Sequence, residues 1–161
     1  MHEGEKPMPP AWLRQVRRLL YAGLGLYVVG ESLGTGVASY LAGTHPQAVA
    51  GIMLLSPYDR LARVAQDHFP WLPAWLLLVD RFPSAEYLRT YSGPVGIMVD
   101  GGDSVVPEKF GLSLYHGYAG PKRLWEFPGC EHIVIGESPA QFWGEVLEFW
   151  QGLPENKHGF F

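Results

Sequence analysis

The chain has 161 residues, of which 47% are hydrophobic and 17% charged, values of one globular domain with a sizeable core rather than a disordered segment. A formal net charge of −4 and a pI near 5.8 argue against nucleic acid as the main partner. The single cysteine, Cys130, excludes an intrachain disulfide and a cysteine-based zinc site, and suits a packing role in a reducing, cytoplasmic setting.

Met1 to Pro10 is polar and proline-bearing and reads as a loose arm. Ala11 to Tyr21 has Trp12, Leu13, Val16, Leu19 and Leu20 near helical spacing, with Arg14, Gln15, Arg17 and Arg18 on the other side. This basic cluster followed by an apolar run has the outline of a signal peptide. Glu31 interrupts it before a good cleavage site, and the apolar part is too short to span a bilayer. Gly23 and Gly25 end the helix pattern. Leu26 to Gly30 is an apolar strand, and a small-residue helix follows from Leu33 to about Ala42, stopped by Gly43-Thr44-His45-Pro46.

Ala50 to Leu55 is a continuous apolar run, as expected of a parallel strand covered on both faces. Asp59 to Gly93 is the least regular stretch. Short helices are predicted at Leu61–His68, Ala74–Asp80 and Ser84–Tyr91, and Phe69-Pro70-Trp71-Leu72-Pro73 forbids one long helix. Its aromatic and leucine content suits packing against the sheet for most residues, and a small lid over an apolar pocket for others. Pro94–Asp100 and Arg123–Phe127 read as two further strands. Pro107–Tyr118 and Pro139–Gln151 read as helices, the last with Phe142, Trp143, Val146, Leu147, Phe149 and Trp150 mostly on one side.

The expected architecture is α/β: a parallel sheet of about four strands flanked by helices, with right-handed crossovers and a short helical insertion between strands two and three. One domain covers 1–161. Within it lie a helix plus elbow unit (11–56), a lid-like insertion (57–93), and a part carrying two polar loops and the final helices (94–151). In open parallel sheets ligands sit beyond the carboxyl ends of the strands. Three polar residues fall in such loops: Ser32 after strand one, Asp103 after strand three and His132 after strand four.

Gly30-Glu31-Ser32-Leu33-Gly34 is a Gly-x-Ser-x-Gly turn between strand and helix, the setting of a nucleophile elbow. Gly30 and Gly34 are expected to remove side chains that would clash in a tight turn. The plain alternative is a glycine-rich turn with Ser32 as an N-cap. A serine hydroxyl needs an imidazole to take its proton and a carboxylate to orient that imidazole. The order Ser, Asp, His supplies both. Asp103 is preferred as the acid over Asp100, the other candidate, and could instead merely cap the following helix or turn. His45, His68, His116 and His158 lack such context and read as surface or packing residues, and Glu31 as a neighbour of the serine facing solvent.

Val28-Val29-Gly30-Glu31-Ser32-Leu33-Gly34, Asp100-Gly101-Gly102-Asp103-Ser104-Val105-Val106-Pro107 and Gly129-Cys130-Glu131-His132 resemble the nucleophile elbow, acid loop and histidine loop of α/β-hydrolases. The resemblance covers roughly residues 12 to 151 and corresponds to the C-terminal half of that fold. It implies a serine hydrolase acting on an ester, thioester or amide, a small-molecule acyl substrate. Ser32 would be the nucleophile, His132 general base and acid, Asp103 its orienting carboxylate, and the Leu33 N–H an oxyanion donor. No metal or organic cofactor is implied. The early strands of the fold, and the loop that supplies the second oxyanion donor, have no counterpart here. The Leu26–Gly30 strand would then present an unpaired edge, inviting self-association or the missing N-terminal segment. A non-catalytic interaction module, or part of a longer hydrolase, is the rival reading.

Overall fold

The computed structural model describes residues 25–71, 73, 82–128 and 140–152. In chain order it contains β1 (Leu26–Glu31), α1 (Gly34–Thr44), β2 (Val49–Leu55), α2 (Leu61–His68), α3 (Ser84–Tyr87) continued by a 3-10 turn at Leu88–Thr90, β3 (Val95–Asp100), α4 (Glu108–Gly117), β4 (Lys122–Phe127) and α5 (Ala140–Gly152). The four strands form one sheet in the order β1-β2-β3-β4, and each neighbouring pair is parallel. The expected parallel α/β sheet is therefore present. The predicted helices at 11–21 and 74–80 lie outside the described residues.

The middle strands show why continuous apolar runs are needed. Alternate residues of a strand point to opposite faces. Ile52 and Leu54 of β2 and Val95, Ile97 and Val99 of β3 join one core with Ala38 and Ala42 of α1, Leu88, and Leu114 of α4. Met53 and Leu55 of β2 and Met98 of β3 point the other way, into a core with Trp125 of β4 and Phe142, Val146 and Trp150 of α5. So α1 and α4 cover one face and α5 the other. Every residue of β3 is buried.

Polar groups fasten the helices to this frame. Glu145 of α5 accepts hydrogen bonds from the Trp125 indole N–H at 2.9 Å and from Arg123 at 2.8 Å. The Lys122 ammonium donates to the carbonyls of Tyr115 and Tyr118 at 2.8 and 2.7 Å, satisfying acceptors that the end of α4 leaves open. The Asp59 carboxylate, almost fully buried, takes the Arg60 N–H, the Arg63 guanidinium and the Ser113 hydroxyl, tying α2 to α4. Among the described residues no helix is long and apolar enough to cross a membrane.

β1 differs from its neighbours. Among the described residues it pairs with β2 alone. Tyr27 and Val29 remain 51% and 39% exposed, and Tyr27 stacks on Trp150 with ring centroids 4.6 Å apart. The strand read from sequence as an edge with no outer neighbour is an edge of the described sheet.

Candidate active site

The site is built from the carboxyl end of the sheet. Ser32 follows β1 directly, and its N–H donates to the Leu55 carbonyl at 2.9 Å, extending the β1–β2 ladder by one bond. Its backbone then turns into the left-handed region, φ 48°. A residue with a Cβ pays a steric cost of roughly 1–2 kcal/mol there, and such residues cluster where geometry serves function. The Ser32 carbonyl accepts the Thr35 N–H at 3.0 Å and the Thr35 hydroxyl at 2.6 Å, which locks the turn. Helix α1 begins at Gly34, with Leu33 as its N-cap and no side-chain cap. The ordinary N-cap reading of Ser32 thus does not apply.

Gly30 explains how strand and helix come so close. A Cβ there would lie 2.7 Å from the Gly34 carbonyl oxygen, 2.9 Å from the Ala38 Cβ and 2.9 Å from the Thr35 Cα. Gly34 was expected to serve the same purpose; a Cβ there meets no described atom within 4 Å outside its own helix. The crowding instead continues at Gly36, where a Cβ would meet the Tyr58 hydroxyl at 2.5 Å and the Phe82 Cβ at 2.8 Å. Sequence reasoning missed this second support. Tyr58 is fully buried and donates to the Leu33 carbonyl at 3.1 Å. Burial pushes its hydroxyl up to about 12, against the pull of the Gly36 N–H and the Thr35 hydroxyl. No sequence motif marks Tyr58, because its contact with Leu33 spans 25 residues.

The first N–H groups of a helix have no partner within it and carry partial positive charge. The Leu33 N–H, at the start of α1, has no backbone acceptor among the described residues. The Leu33 side chain is 54% exposed.

Asp103 stands in the loop after β3, at the same end of the sheet. Its N–H donates to the Asp100 carbonyl at 3.1 Å. Its Oδ1 accepts the Val105 and Val106 N–H groups, both at 2.8 Å, so it does cap its own turn. This bonding fixes the carboxylate, which is almost wholly buried. Asp100, the other candidate acid, is held differently. It is the last residue of β3, is 1% exposed, and its Oδ2 accepts the Ser56 hydroxyl at 3.0 Å. Asp100 is thus engaged beneath the loop, beside β2, while Asp103 sits in the loop itself.

Ser32 and Asp103 leave strands two places apart, about 10 Å between backbones. β4 ends level with Asp100, which pairs with Phe127. His132, predicted in the following loop, lies outside the described residues, as does Cys130. The other histidines among those described behave as expected of surface groups. His45 and His116 are exposed, and exposed His68 bonds the Val105 carbonyl at 2.8 Å. Within the insertion, Tyr58 and Tyr91 are buried, whereas Phe69 and Trp71 are 51% and 78% exposed. The described residues contain no group of three or more His, Cys, Asp or Glu placed to hold a metal ion.

Comparison with known proteins accords with this geometry. The profile of the alpha/beta hydrolase fold matches residues 10–84. An uncharacterised protein of Mycobacterium tuberculosis strain H37Rv is 41% identical over 103 residues, covering 64% of this chain and 36% of that protein. The lysophosphatidylserine lipase ABHD12 of Danio rerio is 36% identical over 118 residues, 62% of this chain and 30% of that one. The chain therefore spans about a third of the length of these relatives. The crystal structure of the monoacylglycerol lipase of Paleococcus ferrophilus superposes with a TM-score of 0.61 at 19% identity, over 88% of this chain and 74% of that one. Sheet order and these likenesses show the α/β-hydrolase fold in part, four of its parallel strands with their helices, and make the chain similar to α/β-hydrolases.

Proposed function

We propose that the chain carries the catalytic core of a serine hydrolase that transfers an acyl group to water. The observation that carries this reading is the left-handed backbone of Ser32 at the end of β1, φ 48°, directly before the N-terminus of α1. The Ser32 hydroxyl attacks the substrate carbonyl while His132 takes its proton. The Leu33 N–H donates to the oxyanion so formed. His132 returns the proton to the leaving alcohol, thiol or amine, and an acyl-serine remains. Water, deprotonated by His132, then releases the acid and restores Ser32. Asp103 holds the imidazole in the tautomer that accepts from serine.

The substrate is an ester, thioester or amide with an apolar acyl chain. Leu33 and Val105, beside Ser32 and Asp103, are 54% and 53% exposed, so the surface around the reacting groups is apolar. The lipase activity in the name of the Danio rerio relative points the same way. The test is labelling of the folded chain by a fluorophosphonate probe. Labelling is expected for the parent and lost in Ser32→Ala. A folded parent that takes no label would remove the proposal for this chain. That result would favour the second reading, an interaction module, which the exposed residues of β1 support.

A further inference from the structure

Among the described residues two serines adopt the left-handed backbone, Ser32 at φ 48° and Ser56 at φ 46°. They stand at corresponding places. Ser32 follows β1 and Ser56 follows β2. Each N–H donates to the next strand over, Ser32 to the Leu55 carbonyl at 2.9 Å and Ser56 to the Met98 carbonyl at 3.0 Å. A residue with a Cβ is disfavoured in this conformation, and such strain gathers where geometry serves function. The nucleophile reading accounts for Ser32 and leaves Ser56 without a role. Ser56 is 2% exposed, so its hydroxyl serves the interior. It donates to the Asp100 Oδ2 at 3.0 Å, and Asp100 is itself 1% exposed. β2 pairs with β3 as far as Leu55 and Met98, whereas β3 continues through Val99 to Asp100. The Ser56 side chain therefore reaches past the end of its own ladder. It holds the strand end from which the loop of Asp103 departs.

We propose that Ser56 is a positioning residue of the hydrolase site: acting through Asp100, it sets where Asp103 stands relative to Ser32. The inference rests on the hydrolase reading given above. A short series of bonds joins the two groups. The Ser32 N–H is on the Leu55 carbonyl, the Ser56 hydroxyl is on the Asp100 carboxylate, and the Asp103 N–H is on the Asp100 carbonyl at 3.1 Å. Leu55 and Ser56 are consecutive, so one step of backbone carries the turn of the nucleophile on one side and the loop of the acid on the other. Tyr58, shortly after, returns to the elbow through the Leu33 carbonyl. Leu55, Ser56 and Tyr58 are all buried, and a hydrogen bond is electrostatically stronger in such surroundings than in water. The strained turn of Ser56 delivers both its N–H and its hydroxyl to β3. Acyl transfer depends on the mutual placement of its groups, and this bridge spans the two strands that carry them.

Ser56→Gly tests the proposal in the full chain. Glycine suits the backbone of Ser56, so the variant is expected to fold while lacking the hydroxyl. Fluorophosphonate labelling of Ser32 is expected to slow about tenfold. Amide exchange followed by NMR reads the loop without any chemistry. The Val105 and Val106 N–H groups, held by the Asp103 Oδ1, are expected to exchange about tenfold faster, while Ile97 within β3 keeps its rate. Ser56→Ala retains the backbone strain and is expected to match Ser56→Gly in both measurements, since the hydroxyl is what both lack. Asp100→Asn keeps an oxygen that accepts from Ser56 and is expected to label within about twofold of the parent. Unchanged exchange at Val105 and Val106 in Ser56→Gly would overturn the proposal whether or not the chain labels. So would a labelling loss in Asp100→Asn as deep as in Asp103→Asn, which would make Asp100 the orienting carboxylate. A parent that takes no label, with faster loop exchange in Ser56→Gly, would remove the hydrolase reading and leave Ser56 as the anchor of the loop.

Discussion

β1 and β3 are both six-residue parallel strands with apolar sequences, Leu-Tyr-Val-Val-Gly-Glu and Val-Gly-Ile-Met-Val-Asp. All of β3 is buried, whereas β1 alternates between half-buried and exposed until Gly30. The difference lies in neighbours. β3 has a strand on each side and helix cores on both faces. β1 has β2 on one side and no partner on the other among the described residues. Sequence composition reports how a strand is meant to be covered, and the structure reports how far the described chain covers it. At β1 the two disagree, and the candidate nucleophile sits at the end of that strand.

Mutations at matched positions sharpen this contrast. Ile97→Ala in β3 removes a fully buried side chain and is expected to cost about 2–5 kcal/mol by urea unfolding. Gly30→Ala places a Cβ within 3 Å of three atoms of the elbow, with an expected cost of about 3 kcal/mol. It should also abolish fluorophosphonate labelling, since the helix start must shift. Tyr58→Phe removes the hydroxyl that holds the Leu33 carbonyl, while the Gly36 N–H still donates to that carbonyl at 3.2 Å. About 1 kcal/mol is expected there. Val29→Ser, on the exposed face of β1, is expected to change stability by less than about 0.5 kcal/mol. A loss of several kcal/mol at Val29 would mean that β1 is covered like β3 in solution, and the contrast would fail.

Alkaline titration probes the covered side of the same comparison. Burial raises the hydroxyls of Tyr58, Tyr91 and Tyr118 above the ordinary tyrosine value. Each holds its proton more tightly when folded, so its contribution is complete below about pH 10, the unfolded value. It falls as pH rises from there through the folded values. Stability followed by circular dichroism should therefore drop above pH 10, and Tyr91→Phe should move the drop to higher pH. A curve flat to pH 12 would contradict the burial of these side chains.

Much of the fold was legible because strands and helices carried different signals. Val49–Leu55 and Val95–Asp100 are apolar runs bounded by turn residues, and Leu61–His68 is bracketed by polar and proline-bearing stretches. The positions of Ser32 and Asp103 at strand ends followed from motif and order. What could not be read depends on residues distant in sequence. Tyr58 reaches the elbow across 25 residues, and Ser56 meets Asp100 across 44. That no described atom outside its own helix crowds a Cβ at Gly34 was likewise invisible, since its motif position is the same whether or not a neighbour crowds it. The exposure of Tyr27 and Val29 was hidden by an apolar run that resembles a covered strand.

The backbone of Ser32 also makes stability and hydroxyl chemistry separable. Glycine adopts its left-handed φ of 48° without the clash that any Cβ suffers. Ser32→Gly should then be at least as stable as the parent, and more stable than Ser32→Ala, although both lack the oxygen. A residue that the fold would keep more comfortably as glycine holds a serine instead. That mismatch between what folding prefers and what is present is measurable by melting temperature alone, without any substrate.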